Sequence, residues 1–155
     1  MVTERIDKNN YYLNIAEEVA KRGTCLRTNY GAVIVNNDEI VSTGYTGSPR
    51  ITKNCCDLDI CRRRIMNNKS GEYTNCRSVH AEMNAIISAE RTKMIKSVLY
   101  LVGIKTDGTY KEKANCCNLC KRMIINAGII AIYIRDTKED YRIILPTDWI
   151  DYDDF

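Results

Sequence analysis

The chain has 155 residues, 45% of them apolar and 28% charged, which suits one compact domain spanning residues 1–155 with a core of its own and excludes a second of ordinary size. With 23 Lys and Arg against 20 Asp and Glu, the net charge of +3 is too small to mark a nucleic-acid surface. Eight Cys fall below the density of a disulfide scaffold, the N-terminus is charged where a secretory signal needs an apolar run, and no stretch reaches the roughly 18 apolar residues of a membrane span. A soluble cytoplasmic protein with free thiols and no membrane partner is expected, and in that setting clustered Cys more often bind metal or do chemistry than form bridges.

Tyr12, Ile15, Ala16, Val19 and Ala20 recur at helical spacing, so residues 7–22 are predicted to form an amphipathic helix closed by Gly23. The β-branched run at 32–35, the turn residues Asn36, Asn37 and Asp38, and the stretch 40–45 read as a β-hairpin. Residues 46–78 are polar and hold four of the eight Cys, with one short helix near 57–66; a loop this long needs something, such as a metal, to order it. A helix over 79–90, a strand over 98–102, a polar loop over 105–115 and a helix over 117–126 stopped at Gly128 follow. Residues 129–134 read as a strand buried on both faces, the segment past Asp136 is charged and weakly patterned, and its acidic end, Asp151 to Asp154, reads as a solvated tail. This order implies an α/β domain with helices on both faces of a mixed sheet.

His80 is the only His in the chain, and Glu82 lies two residues beyond it. Cys117 and Cys120, three apart at the start of a predicted helix, face the same side and reach one ion together. One imidazole and two thiolates leave the fourth position of tetrahedral zinc open, as in a catalytic site, and helix N-termini favour thiolate. Glu82 stands close enough to pass a proton from water acidified by the metal to a leaving group. His-x-Glu alone is weak, and Cys-x-x-Cys alone is more often structural or redox-active; the conjunction, with the single His in the required place, is specific.

The segments His80-Ala81-Glu82-Met83-Asn84-Ala85, Cys117-Asn118-Leu119-Cys120 and Ile124-Ile125-Asn126-Ala127-Gly128 resemble the zinc-dependent cytidine and deoxycytidylate deaminases. Thr24-Cys25-Leu26-Arg27, Gly44-Tyr45-Thr46-Gly47 and a Cys-bearing insertion ending at His80 make the deoxycytidylate branch the nearer likeness. The resemblance implies a three-layer α/β/α fold with a central mixed sheet of about five strands. It implies that His80, Cys117 and Cys120 hold zinc, that Glu82 is the catalytic proton shuttle, and that water displaces ammonia at C4 of a cytosine ring. It assigns Arg27, Thr46 and Ala81 to the substrate, dCMP, with Arg27 on the phosphate and Arg50, Lys53 and Arg77 as lesser candidates. A homo-oligomer and control by dCTP or dTTP come with the same likeness.

Two positions depart from the family pattern. Thr46 stands where Asn is usual, with a shorter reach to the sugar or base, and Cys116 replaces the Pro before the first metal Cys; Cys116 is a rival ligand, but Cys117 keeps the two-residue spacing to Cys120 and is the expected one. Cys25, one of Cys55 or Cys56, Cys61 and Cys76 are candidates for a second, structural zinc, or simply pack as buried thiols. Tyr141 is a candidate to cover the base or touch phosphate. Two alternatives stand beside dCMP deamination: a deaminase of guanine, tRNA adenosine or a modified pyrimidine, and a non-catalytic zinc-stabilised nucleotide-binding protein, which has no need of Glu82.

Overall fold

The computed structural model describes residues 4–155. Strand β1 (Thr28–Asn36) pairs antiparallel with both β2 (Glu39–Tyr45) and β3 (Val98–Lys105); β3 runs parallel to β4 (Ala131–Arg135), which pairs antiparallel with β5 (Tyr141–Ile144). The sheet is therefore mixed and five-stranded, as expected, and its order is β2-β1-β3-β4-β5. Alternation along the central strands sorts the core into two layers. Ala32, Ile34, Leu99, Leu101, Ile132 and Ile134 face one side, where they meet α4 (Ala81–Ile87), α6 (Asn118–Ala127) and Trp149 of α7 (Pro146–Asp151). Val33, Val35, Tyr100, Val102 and Tyr133 face the other, covered by α1 (Lys8–Ala20). Because both faces are covered, the strands read as apolar runs, not as alternating ones.

Helix α1 starts where Asp7 accepts from the Asn10 N–H, and it buries Tyr12, Leu13, Ala16 and Ala20. The buried stripe is turned toward Leu13 relative to the predicted one, leaving Ile15 and Val19 partly covered. Asn37 and Asp38, at φ 49° and 64°, make the tight hairpin turn that matches strand twist. Asp38 also ties this turn to α1, accepting from Tyr12 Oη at 2.6 Å and from Lys8 Nζ at 2.6 Å.

The Asp38 contacts predict a pH signature. The Lys8 and Tyr12 hydrogen bonds hold the Asp38 carboxyl below its ordinary 3.8, so its contribution is present above 3.8 and is lost as pH falls through the lower folded value. Its hydrogen bond in turn pushes the Tyr12 phenol from 10.0 up to about 12, so that contribution is complete below 10 and is lost as pH rises toward 12. Asp38→Asn should flatten both limbs of a Tm-against-pH profile relative to the natural chain; parallel profiles would refute the assignment.

The insertion holds two four-residue helices, α2 (Cys55–Leu58) and α3 (Arg62–Ile65), in place of one, separated by Asp59 in the left-handed region at φ 49°. A short α5 (Arg91–Met94) precedes β3. The weakly patterned segment past Asp136 forms β5 and α7, and the acidic end is not wholly free in solvent, since Asp154 closes on Lys121 of α6 at 2.8 Å. Lys121 is buried and its ammonium lies 5.4 Å above the Trp149 ring, so the end of the chain braces the helix that begins with the Cys pair. Among the described residues, no helix is long and apolar enough to cross a membrane.

Candidate active site

Helices α4 and α6 both start at the same end of the sheet and pack against each other. His80 is the N-cap of α4 and Cys117 the N-cap of α6, each in an extended conformation at ψ 155° and 164°, and neither side chain makes a capping hydrogen bond. Residues that cap well use their side chains on the first turn; His and Cys here leave theirs free to converge on a common point. Cys120 follows one turn into α6. The Sγ atoms of Cys117 and Cys120 each lie 3.4 Å from His80 Nδ1, close to the about 3.5 Å that two such donors adopt on one tetrahedral ion. Among the described residues this is the only group of three or more ligand-type side chains whose donor atoms all lie within 4.8 Å of one another. Two sulfurs and one imidazole are a donor set suited to zinc.

The protonation of the group is already polarised. A hydrogen bond from Cys120 and contact with His80 bring the Cys117 thiol down to about 4, whereas the Cys120 thiol is pushed far up by holding that proton in a buried place. Burial works against charge on His80, but the Cys117 hydrogen bond and the Glu82 charge outweigh it and raise the imidazole. Glu82 is 4% exposed; burial raises its carboxyl, opposed by its own backbone N–H and by His80. A buried acid that favours its proton beside a metal-type donor set is equipped to hand protons on.

Cys116 does not compete for the metal. It is buried in the core, outside the converging group, and burial together with the Glu82 charge drives its thiol well above the ordinary range.

The donor group opens into a cleft of about 230 Å³. Its walls include Arg27, Thr46, Glu82 and the predicted second-metal residues Cys25, Cys55, Cys61 and Cys76. These four thiols share the wall without converging as closely as the His80 group does. Thr46 is buried, and its Oγ1 accepts from the Tyr30 N–H at 3.0 Å, leaving its own proton to donate. Ala81 does not line the cleft: its methyl is fully buried in the core beneath α4. Of the lesser cations, Arg77 lines the cleft, while Lys53 holds Arg77 Nε through its carbonyl and Arg50 lies near Ser88. Tyr141 lies away from the cleft, hydrogen-bonded to Asn9 and packed on Tyr133 on the α1 side of the sheet, so it covers no base.

Several wall residues escape the sequence reading. Tyr73 packs perpendicular to His80 with ring centroids 4.5 Å apart, and the Arg63 guanidinium lies 4.6 Å above the Tyr73 ring. The run Arg62-Arg63-Arg64 was a visible signal; for Tyr73, one of ten scattered Tyr, a single sequence offers none.

A three-layer α/β/α fold with a two-sulfur, one-nitrogen donor group and a buried carboxyl at the mouths of two helices defines a zinc-binding enzyme. Residues 6–135 match the family model described as the cytidine and deoxycytidylate deaminase zinc-binding region, so the chain belongs to the cytidine and deoxycytidylate deaminase family. It is 32% identical to the deoxycytidylate deaminase of Mycobacterium phage D29 over 131 residues, 81% of this chain and 91% of that one. It is 31% identical over 86 residues to the deoxycytidylate deaminase of Schizosaccharomyces pombe, covering 56% of this chain but only 27% of that longer one. In fold it matches the dCMP deaminase of cyanophage S-TIM5, solved in complex with dCMP and dUMP, with a TM-score of 0.60 at 24% identity over 87% of this chain and 85% of that one.

Proposed function

We propose that this chain is a zinc-dependent hydrolase that takes dCMP and water to dUMP and ammonia. The observation that supports this most is Glu82: a buried carboxyl, raised by burial, in the same cleft as His80 and Cys117, with Cys120 buried behind them in the same donor group. Zinc held by those three residues acidifies water at neutral pH, which is the chemistry the metal supplies. Glu82 takes one proton of the attacking water and places it on ring N3 as C4 becomes tetrahedral, then carries the other, from the new C4 hydroxyl, to the amine as the C4–N bond breaks and ammonia leaves. Burial keeps that exchange away from bulk water. Thr46 has one proton to offer the sugar or base, and Arg27, exposed on the cleft wall, meets the phosphate. The relatives named deoxycytidylate deaminase support the same substrate. A cytoplasmic setting, assembly with further copies and control by dCTP or dTTP extend this reading.

A panel of dCMP, CMP, deoxycytidine, cytidine and guanine tests it; the greatest kcat/KM is expected on dCMP, and preference for guanine or for a free nucleoside would overturn the substrate. In the same assay Arg27→Ala should lower kcat/KM on dCMP about 10-fold more than on deoxycytidine, the worth of one charge-assisted phosphate contact. Equal loss on both would remove Arg27 from the phosphate.

A further inference from the structure

We infer that Arg63, held over the Tyr73 ring, reads the phosphate of the nucleotide, so that the Cys-rich insertion provides selectivity for a monophosphate; this rests on the deaminase reading above. Five cations line the cleft, Arg27, Arg62, Arg63, Arg77 and Lys111, against one carboxylate among the described residues, Glu82. A wall so unbalanced in charge attracts an anion from solution.

The five differ in how far they are already placed. Arg77 is engaged through Nε with the Lys53 carbonyl at 2.8 Å, and Arg27 and Arg62 are exposed. Arg63 is half-buried, its Nη2 donates to the Lys69 carbonyl at 2.9 Å, and its guanidinium lies 4.6 Å above the Tyr73 ring. The stack and the carbonyl fix the plane of the fork before any ligand arrives, so little side-chain freedom remains to be lost on binding. Its Nε–H is buried and has no hydrogen-bond partner among the described residues. That nitrogen is closed to solvent, so a ligand in the cleft meets the outer guanidinium nitrogens, Nη1 above all since Nη2 is already on the Lys69 carbonyl.

Tyr73 sets the distance. Its ring packs perpendicular to the imidazole of His80 and its face holds Arg63, so the guanidinium lies two aromatic contacts from the metal-type donors. A nucleoside monophosphate carries its base amine at one end and its phosphate at the other. With the amine at His80, Cys117 and Cys120, the phosphate extends toward the insertion. A planar fork matches phosphate in two hydrogen bonds where a lysine offers a point charge.

The test compares the natural chain with Arg63→Gln and Arg63→Lys by kcat/KM on dCMP and deoxycytidine, by calorimetric binding of dUMP and deoxyuridine, and by zinc content. The dCMP-to-deoxycytidine ratio should fall about 10- to 100-fold in Arg63→Gln, mostly through KM, with zinc retained. Arg63→Lys, which keeps the charge and loses the fork, should fall between. An unchanged ratio in both variants, or an equal loss on both substrates, overturns the proposal. If the natural chain deaminates neither substrate, the deaminase reading fails; a preference for dUMP over deoxyuridine that disappears in Arg63→Gln still supports the phosphate role, and its persistence overturns it.

Discussion

Glu82→Gln should retain zinc and lose deamination by at least about 10²- to 10⁴-fold, the range that positioned acid–base groups supply. Gln keeps the shape of the side chain and its fit at the start of α4 but cannot cycle a proton. The variant should also melt no lower than the natural chain at neutral pH. Glu82 carries a raised carboxyl in the folded state, so its contribution to stability is fully present only below its ordinary 4.5 and is lost as pH rises through the higher folded value. Removing the ionisable group removes that loss. Metal analysis, melting and turnover on dCMP separate the outcomes: full activity in Glu82→Gln excludes the carboxyl as proton carrier, and loss of zinc along with activity makes Glu82 a part of the metal group instead.

The donor group was legible because each half is local. His80 and Glu82 sit at one helix start and Cys117 and Cys120 at another, and short spacings survive folding unchanged. The elements with clear periodicity, α1, the hairpin, α4, β3, α6 and β4, were legible for a similar reason, since two covered sheet faces require long apolar runs. What escaped depends on partners distant in the chain. Strand β1 begins at Thr28, earlier than its β-branched run, because Thr28 to Gly31 pair with residues 102–105 of β3. Strand β5 is only four residues of mixed polarity and exists through its ladder to β4. Helix α7 did carry a signal, Pro146 at its first turn, that the surrounding charges obscured. The insertion was the least legible, because Tyr73 and Arg63 gain their meaning only when that segment folds back over His80. The same folding brings Cys25, Cys55, Cys61 and Cys76 to one wall without drawing them into a group as tight as that around His80.

Gly44→Ala should be the most damaging single methyl in the chain's catalytic half, lowering both stability and zinc affinity. Gly44 lies on β2 beneath α4, and a Cβ there would stand 2.3 Å from the Ala81 carbonyl oxygen and 2.3 Å from the Ala85 nitrogen. Both are helix backbone, so no side chain can swing aside; the helix itself must lift. It is tied down on either side, with Ser42 Oγ donating to the Ala85 carbonyl at 2.7 Å and Asn84 Nδ2 to the Tyr45 carbonyl at 2.8 Å. Overpacking against fixed backbone costs about 1–3 kcal/mol or more, which for a chain of this length lowers Tm by roughly 2–12 °C. The second effect follows from what α4 holds: His80 is its N-cap and Glu82 lies in its first turn, so a lifted helix moves the imidazole away from the two sulfurs on α6, which stay in place. Zinc competition against a chelator should therefore show weaker binding in Gly44→Ala in proportion to the lost turnover. Thr43→Ala, one residue away and exposed on the opposite face of β2, should change stability by no more than about 0.5 kcal/mol and leave zinc binding alone. If Gly44→Ala melts and binds zinc like the natural chain, close packing of α4 on β2 is not what holds His80 in register with Cys117 and Cys120.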